Sequence, residues 1–153
     1  MRILTIATAF PYPPDNGTKI LPYERIRHLS QRHDVTLLCV SSERVAPERV
    51  REMEQYCRCV FVDAPQNTRP STDAGRAWQA FSSLSIREPY YIRDLLVPEA
   101  ITWLTHEAPR QGFDVVEADC EATVYLRAPL KALKVAIMHS VADTLARREL
   151  AVG

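Results

Sequence analysis

The chain has 153 residues, enough for one domain with a core of its own, and its 46% hydrophobic and 25% charged content is ordinary for a globular protein. Nineteen lysines and arginines balance nineteen aspartates and glutamates, so no net field favours nucleic acid or a membrane surface as partner. No apolar run approaches the roughly 18–20 residues that cross a bilayer, which leaves at most peripheral membrane contact.

The chain opens on Arg2 to Ala7, a nearly all-apolar, β-branched run of the kind that forms a buried parallel strand. It reads as a strand and not as a secretory signal, because the apolar stretch is short and FPYPP stands where a cleavage site should be. The proline-rich loop Phe10 to Gly17 follows. Thr18 is the expected cap of the next helix, whose apolar positions are Ile20, Tyr23, Ile26 and Leu29, with Pro22 in its first turn. Gln31 to Asp34 ends that helix, and Val35 to Val40 is the second strand. The charged segment Ala46 to Gln55 suits a solvated surface helix, and Cys57 to Val62 is a third strand.

Residues 64–73 form a polar loop, followed by a short helix carrying Trp78, Phe81 and Leu84 and by the aromatic connector Pro89-Tyr90-Tyr91. Pro98 opens a helix with Ile101, Leu104 and Ala108 on one face. FDVVEAD is a fourth strand, Thr123 to Leu126 a short helix, LKVAIMH a fifth strand, and Ser140 to Leu150 a last helix. This alternation predicts an α/β, Rossmann-like parallel sheet with helices on both faces.

The four cysteines, at 39, 57, 59 and 120, lack the spacing of a zinc finger. Cys57 and Cys59 form a C-x-C, which in a strand puts both thiols on one face. They are expected to be reduced core residues, in keeping with a cytoplasmic chain.

Ligands of parallel sheets bind outside the carboxyl ends of the strands. The informative segments are therefore 8–18, 41–44, 63–73, 117–121 and 139–143. With four glycines in the whole chain and no G-x-G-x-x-G, dinucleotide binding is disfavoured, and neither a P-loop nor a G-x-S-x-G elbow is present. Asp15-Asn16-Gly17 at a helix start is either a turn or an anion site built on free backbone N–H groups. Glu117 and Asp119, at the end of the fourth strand, either bind hydroxyl groups or cap the following helix. His139 is either an acid/base or sugar-binding group or is bonded to a neighbouring loop. Tyr90 and Tyr91 either stack on a ligand or pack.

Three segments in register resemble the GT-B fold retaining glycosyltransferases, the glycosyl transferase family 4-like group. They are the opening MRILTIATAFPYPPDNGTKI with its Arg32-His33-Asp34-Val35-Thr36-Leu37-Leu38 sequel, FDVVEAD, and IMHSVADTLARREL. Asn16-Gly17 stands where that family has two small residues, Glu117 where it often has histidine, and Ser140 and Ala142 where it has an acidic or amide pair.

The resemblance implies that residues 1–153 are an incomplete acceptor-side half of a GT-B architecture, with the donor domain supplied in cis or in trans. It implies transfer of a sugar from a nucleoside-diphosphate sugar to a sugar or lipid acceptor, with retention and without an obligatory metal or other cofactor. Asn16 and Gly17 would contact the donor phosphates, His139 the reacting sugar, and Asp15, Glu117, Asp119, Tyr90 and Tyr91 the acceptor. The isolated chain is then expected to be inactive. The alternatives are a non-catalytic α/β binding domain and half of a GT-B-type sugar epimerase.

Overall fold

The computed structural model describes residues 1–64 and 96–138. In chain order these form β1 (Arg2–Ala7), α1 (Gly17–Leu29), β2 (Asp34–Ser41), α2 (Pro47–Glu54) and β3 (Arg58–Asp63). Then come α3 (Pro98–Thr102), a π-helical turn (Trp103–Glu107), α4 (Ala108–Gln111), β4 (Val115–Asp119), a 3-10 segment (Cys120–Arg127) and β5 (Leu133–Ile137).

The five strands make one all-parallel sheet in the order β3-β2-β1-β4-β5. The fold is α/β and Rossmann-like. β1 lies at the centre, with β2 on one side and β4 on the other, so the strand order reverses direction between β1 and β4.

Side-chain alternation along the strands builds two cores. On one face Ala7, Val35, Leu37 and Cys39 pack with Ile26 of α1 and Met53 of α2. On the other face Leu4, Ile6, Leu38, Val116 and Ala118 pack with Ala100, Leu104 and Ala108. The sheet is thus covered on both sides, which is why β1 and β2 are almost continuously apolar.

Several local expectations change. Asn16, not Thr18, caps α1: its Oδ1 accepts the Thr18 N–H at 3.1 Å and the Thr18 hydroxyl at 2.6 Å. The helix therefore starts at Gly17, and Pro22 sits in its second turn instead of its first. Pro22 and Ile26, one turn apart, are the buried residues of α1, whereas Ile20 is exposed. Ile101 likewise faces out, and Ala100, Leu104 and Ala108 carry the contact with the sheet.

The π-helical turn has a local cause. Pro109 lacks an N–H, and its ring would press on the carbonyl four residues earlier. The helix widens ahead of it, and the Ala108 N–H bonds back five residues to the Trp103 carbonyl.

The helix ends at Gly112, whose φ of +63° is left-handed. A Cβ there would also stand 3.4 Å from the Arg2 guanidinium. Gly112→Ala is expected to cost about 1 kcal/mol, read as a lower urea midpoint at unchanged m-value.

The segment 64–73, apart from its first residue, the Trp78 helix, Tyr90, Tyr91, His139 and the helix expected from Ser140 lie outside the described residues.

Candidate functional site at the β1–β4 crevice

The strand order reverses between β1 and β4, and the carboxyl ends of strands at such a switch point border the crevice in which open α/β sheets receive ligands. Two segments flank it. One is the loop 8–16 with the start of α1. The other is the end of β4.

The loop is tied down from below. Phe10 and Pro11 are buried, and the Phe10 ring lies 5.5 Å from that of Phe61. The Tyr12–Pro13 bond is cis. Arg49 of α2 donates from Nε, at 2.8 Å, and from Nη2 to the Tyr12 carbonyl, while its Nη1 pairs with Glu43 at 2.7 Å. One member of the charged segment that reads as a solvated face is therefore a half-buried anchor for the loop.

Both donors to the Tyr12 carbonyl disappear in Arg49→Ala. The expected loss is about 1–2 kcal/mol in urea denaturation, with faster amide exchange confined first to the residues around Tyr12.

At the start of α1 the side chains of Asp15 and Asn16 are engaged with each other and with the helix. Asn16 Nδ2 donates to Asp15 Oδ1 at 2.9 Å, and Lys19 Nζ stands 3.3 Å from the same carboxylate. The N–H groups of Lys19 and Ile20 both bond to the Asn16 carbonyl. With Thr18 N–H on the Asn16 side chain, the Gly17 N–H is left without a partner among the described residues. Gly17 has no left-handed φ, and a Cβ built on it meets nothing within 4 Å. Neither backbone strain nor crowding demands glycine there.

On the β4 side, register places Glu117 beside Thr5 on the face covered by α1. Thr5 Oγ1 donates to Glu117 Oε1 at 2.7 Å, and Arg25 Nε donates to the same oxygen at 2.9 Å. Arg25 Nη2 pairs with Asp119 Oδ2. All of this is largely withdrawn from water: the Glu117 and Asp119 side chains are 8% and 10% exposed, and Arg25 is 20% exposed. The Arg25 guanidinium is held more firmly protonated than usual. Burial opposes its charge, but the hydrogen bonds and attraction of the two carboxylates outweigh it.

Glu117 and Asp119 thus stand where the strand reading put them but are not open rim groups, since Arg25 occupies both. Nor does Asp119 cap the 3-10 segment that follows. Asp15, Asn16 and Gly17 are brought together at the other wall of the crevice. Arg25, Arg49 and Thr5 are the polar residues that sequence reasoning missed.

Alongside the loop, α2 and the end of β3 enclose an open groove of about 580 Å³. Arg44, Arg51, Glu54, Phe61 and Asp63 line it, and Phe61 is 44% exposed. Among the described residues no group of three or more His, Cys, Asp or Glu side chains is placed to hold a metal ion, and no helix is long and apolar enough to cross a membrane.

No family model matches the chain, and no curated protein matches it.

Proposed function

We propose that this chain contributes the acceptor-side domain of a glycosyltransferase. The reaction moves a sugar from a nucleoside-diphosphate sugar to a glycan, lipid or small-molecule acceptor with retention of anomeric configuration. One observation carries the reading: Gly17 sits at the start of α1, beside the switch point of the sheet, with open space around it and a backbone N–H that no described group accepts.

Sugar transfer of this kind separates a diphosphate from an oxocarbenium-like sugar, so the dominant demand is stabilisation of developing negative charge. In this reading the Gly17 N–H and the positive end of α1 meet the departing phosphates. Asn16 acts by fixing the helix start, because its own carbonyl and side chain are spent on the cap. The resemblance in three sequence segments supports the same assignment, and it implies a second, donor-binding domain acting with these residues in the cytoplasm. The acceptor would use the rim beyond β2 and β3, where Phe61 offers an aromatic face and Arg51, Glu54 and Asp63 offer hydrogen bonds.

The test uses the full-length protein, incubated with UDP- and GDP-hexoses and simple glycoside acceptors, with the product followed by proton NMR at the anomeric position. Transfer with the donor's anomeric configuration kept is the expected result. Inversion, or neither transfer nor donor hydrolysis from a folded protein with any of these donors, sinks the reading.

A further inference from the structure

The sequence singles out a C-x-C that the sugar-transfer reading does not use. Cys57 occupies the bend just before β3, and Cys59 is the second residue of that strand. Their sulfur atoms lie 3.9 Å apart, on the face of the sheet covered by α1 and α2. Cys57 is 6% exposed, whereas Cys59 is half-buried and reachable from solvent.

We propose that Cys57 and Cys59 are a thiol–disulfide exchange site that a low-molecular-weight disulfide, such as glutathione disulfide, closes into an intramolecular Cys57–Cys59 bond. Two residues at i and i+2 of an extended strand have Cα atoms about 6.6 Å apart, near the upper end of the roughly 4.4–6.8 Å that a disulfide spans. The two sulfur atoms already stand 3.9 Å apart on one face of the sheet. Closure then needs rotation of two side chains and no rearrangement of the sheet.

The exchange runs in two displacements. The Cys59 thiolate attacks one sulfur of glutathione disulfide, forming a mixed disulfide and releasing one glutathione thiolate. The Cys57 thiol loses its proton to solvent and attacks Cys59 Sγ, which breaks the mixed disulfide and releases the second glutathione. Two protein thiols are oxidised and one small disulfide is reduced to two thiols.

The order of attack follows from the surroundings of each sulfur. Cys59 is the more acidic thiol of the pair, chiefly because of its hydrogen bond with Cys57, with burial opposing. Cys57 is pushed up, first by that same hydrogen bond and then by burial. Once Cys59 is in the mixed disulfide that first cause is gone, and Cys57 is adjacent to the sulfur it must attack. Cys39, on the neighbouring strand, is pushed up to about 12, mainly by burial, and stays out of the reaction.

The experiment treats the native full chain with glutathione disulfide, quenches in acid, alkylates the remaining thiols, and digests with trypsin. Arg58 lies between the two cysteines, so tryptic cleavage separates the peptide ending in Cys57-Arg58 from the one beginning at Cys59. A bond between them keeps the two fragments joined, and the intact mass falls by about 2 Da. The expected result is joined fragments in the wild type, a persistent glutathione adduct on Cys59 in Cys57→Ser, and no adduct at Cys57 in Cys59→Ser. Four free thiols in the treated wild type, a lasting glutathione adduct there, or a bond from either residue to Cys39 would each overturn the proposal. Because the readout is chemical, its outcome is independent of whether the chain transfers sugars.

Discussion

Arg25→Met is expected to lower the unfolding free energy by about 3–5 kcal/mol, a large share of the roughly 5–15 kcal/mol that holds a domain together. The cause is what the substitution leaves behind. The Glu117 and Asp119 carboxylates are at most 10% exposed, and Arg25 bonds to both. Methionine fills the aliphatic part of the space but donates nothing. Thr5 still bonds to Glu117, yet a neutral hydroxyl does not replace a guanidinium.

A triple variant separates charge from packing. Adding Glu117→Gln and Asp119→Asn to Arg25→Met removes both carboxylate charges that Arg25 neutralises, at nearly constant volume. It should recover at least half of the loss in urea denaturation, because an apolar or neutral replacement of a whole buried ion cluster costs far less than breaking it. A loss below about 1 kcal/mol for Arg25→Met, or no recovery in the triple variant, would mean that the cluster is solvated and does not link α1 to β4.

That cluster also marks where sequence reading stops. β1 and β2 are legible because a strand covered on both faces must be apolar at nearly every position, and their sequences are. The parallel sheet followed from alternation with helices. The strand order did not, because nothing local distinguishes a β4 placed beside β1 from one placed beside β3. Arg25 and its carboxylates are 92 and 94 residues apart, beyond any periodic pattern.

A signal was nevertheless present. Two acids at alternate positions of the otherwise apolar run VVEAD cannot both be buried without a cation, so a buried basic partner was required. Arg25 meets that need from the same face of α1 as Pro22 and Ile26. The cap of α1 was ambiguous for a different reason. Asn16 and Thr18 are both good capping residues, and only the extended backbone at Asn16 decides between them. Ile20 is misplaced for another reason: each three-residue step falls about 60° short of a full turn, so Ile20 and Leu29 stand on opposite sides of the helix, and Leu29 is the one that packs.

Gly17→Trp is expected to reduce sugar transfer by the full-length protein at least about 100-fold, some 2.7 kcal/mol or more of transition-state stabilisation, while leaving the melting temperature nearly unchanged. The two halves of that statement have separate grounds. Stability is spared because the backbone at Gly17 is not left-handed and a Cβ there meets nothing within 4 Å. The first helical residue also has no intrahelical donor bond to lose. Activity is lost because an indole over the start of α1 fills the space in which a phosphate would approach the Gly17 N–H. Gly17→Ala provides the graded comparison: one methyl group leaves the N–H accessible, so its turnover should fall far less than that of the tryptophan variant. Full activity in Gly17→Trp would remove the helix start from the reaction. A fall in melting temperature matching the fall in activity would assign Gly17 to the fold after all, against the open space around it.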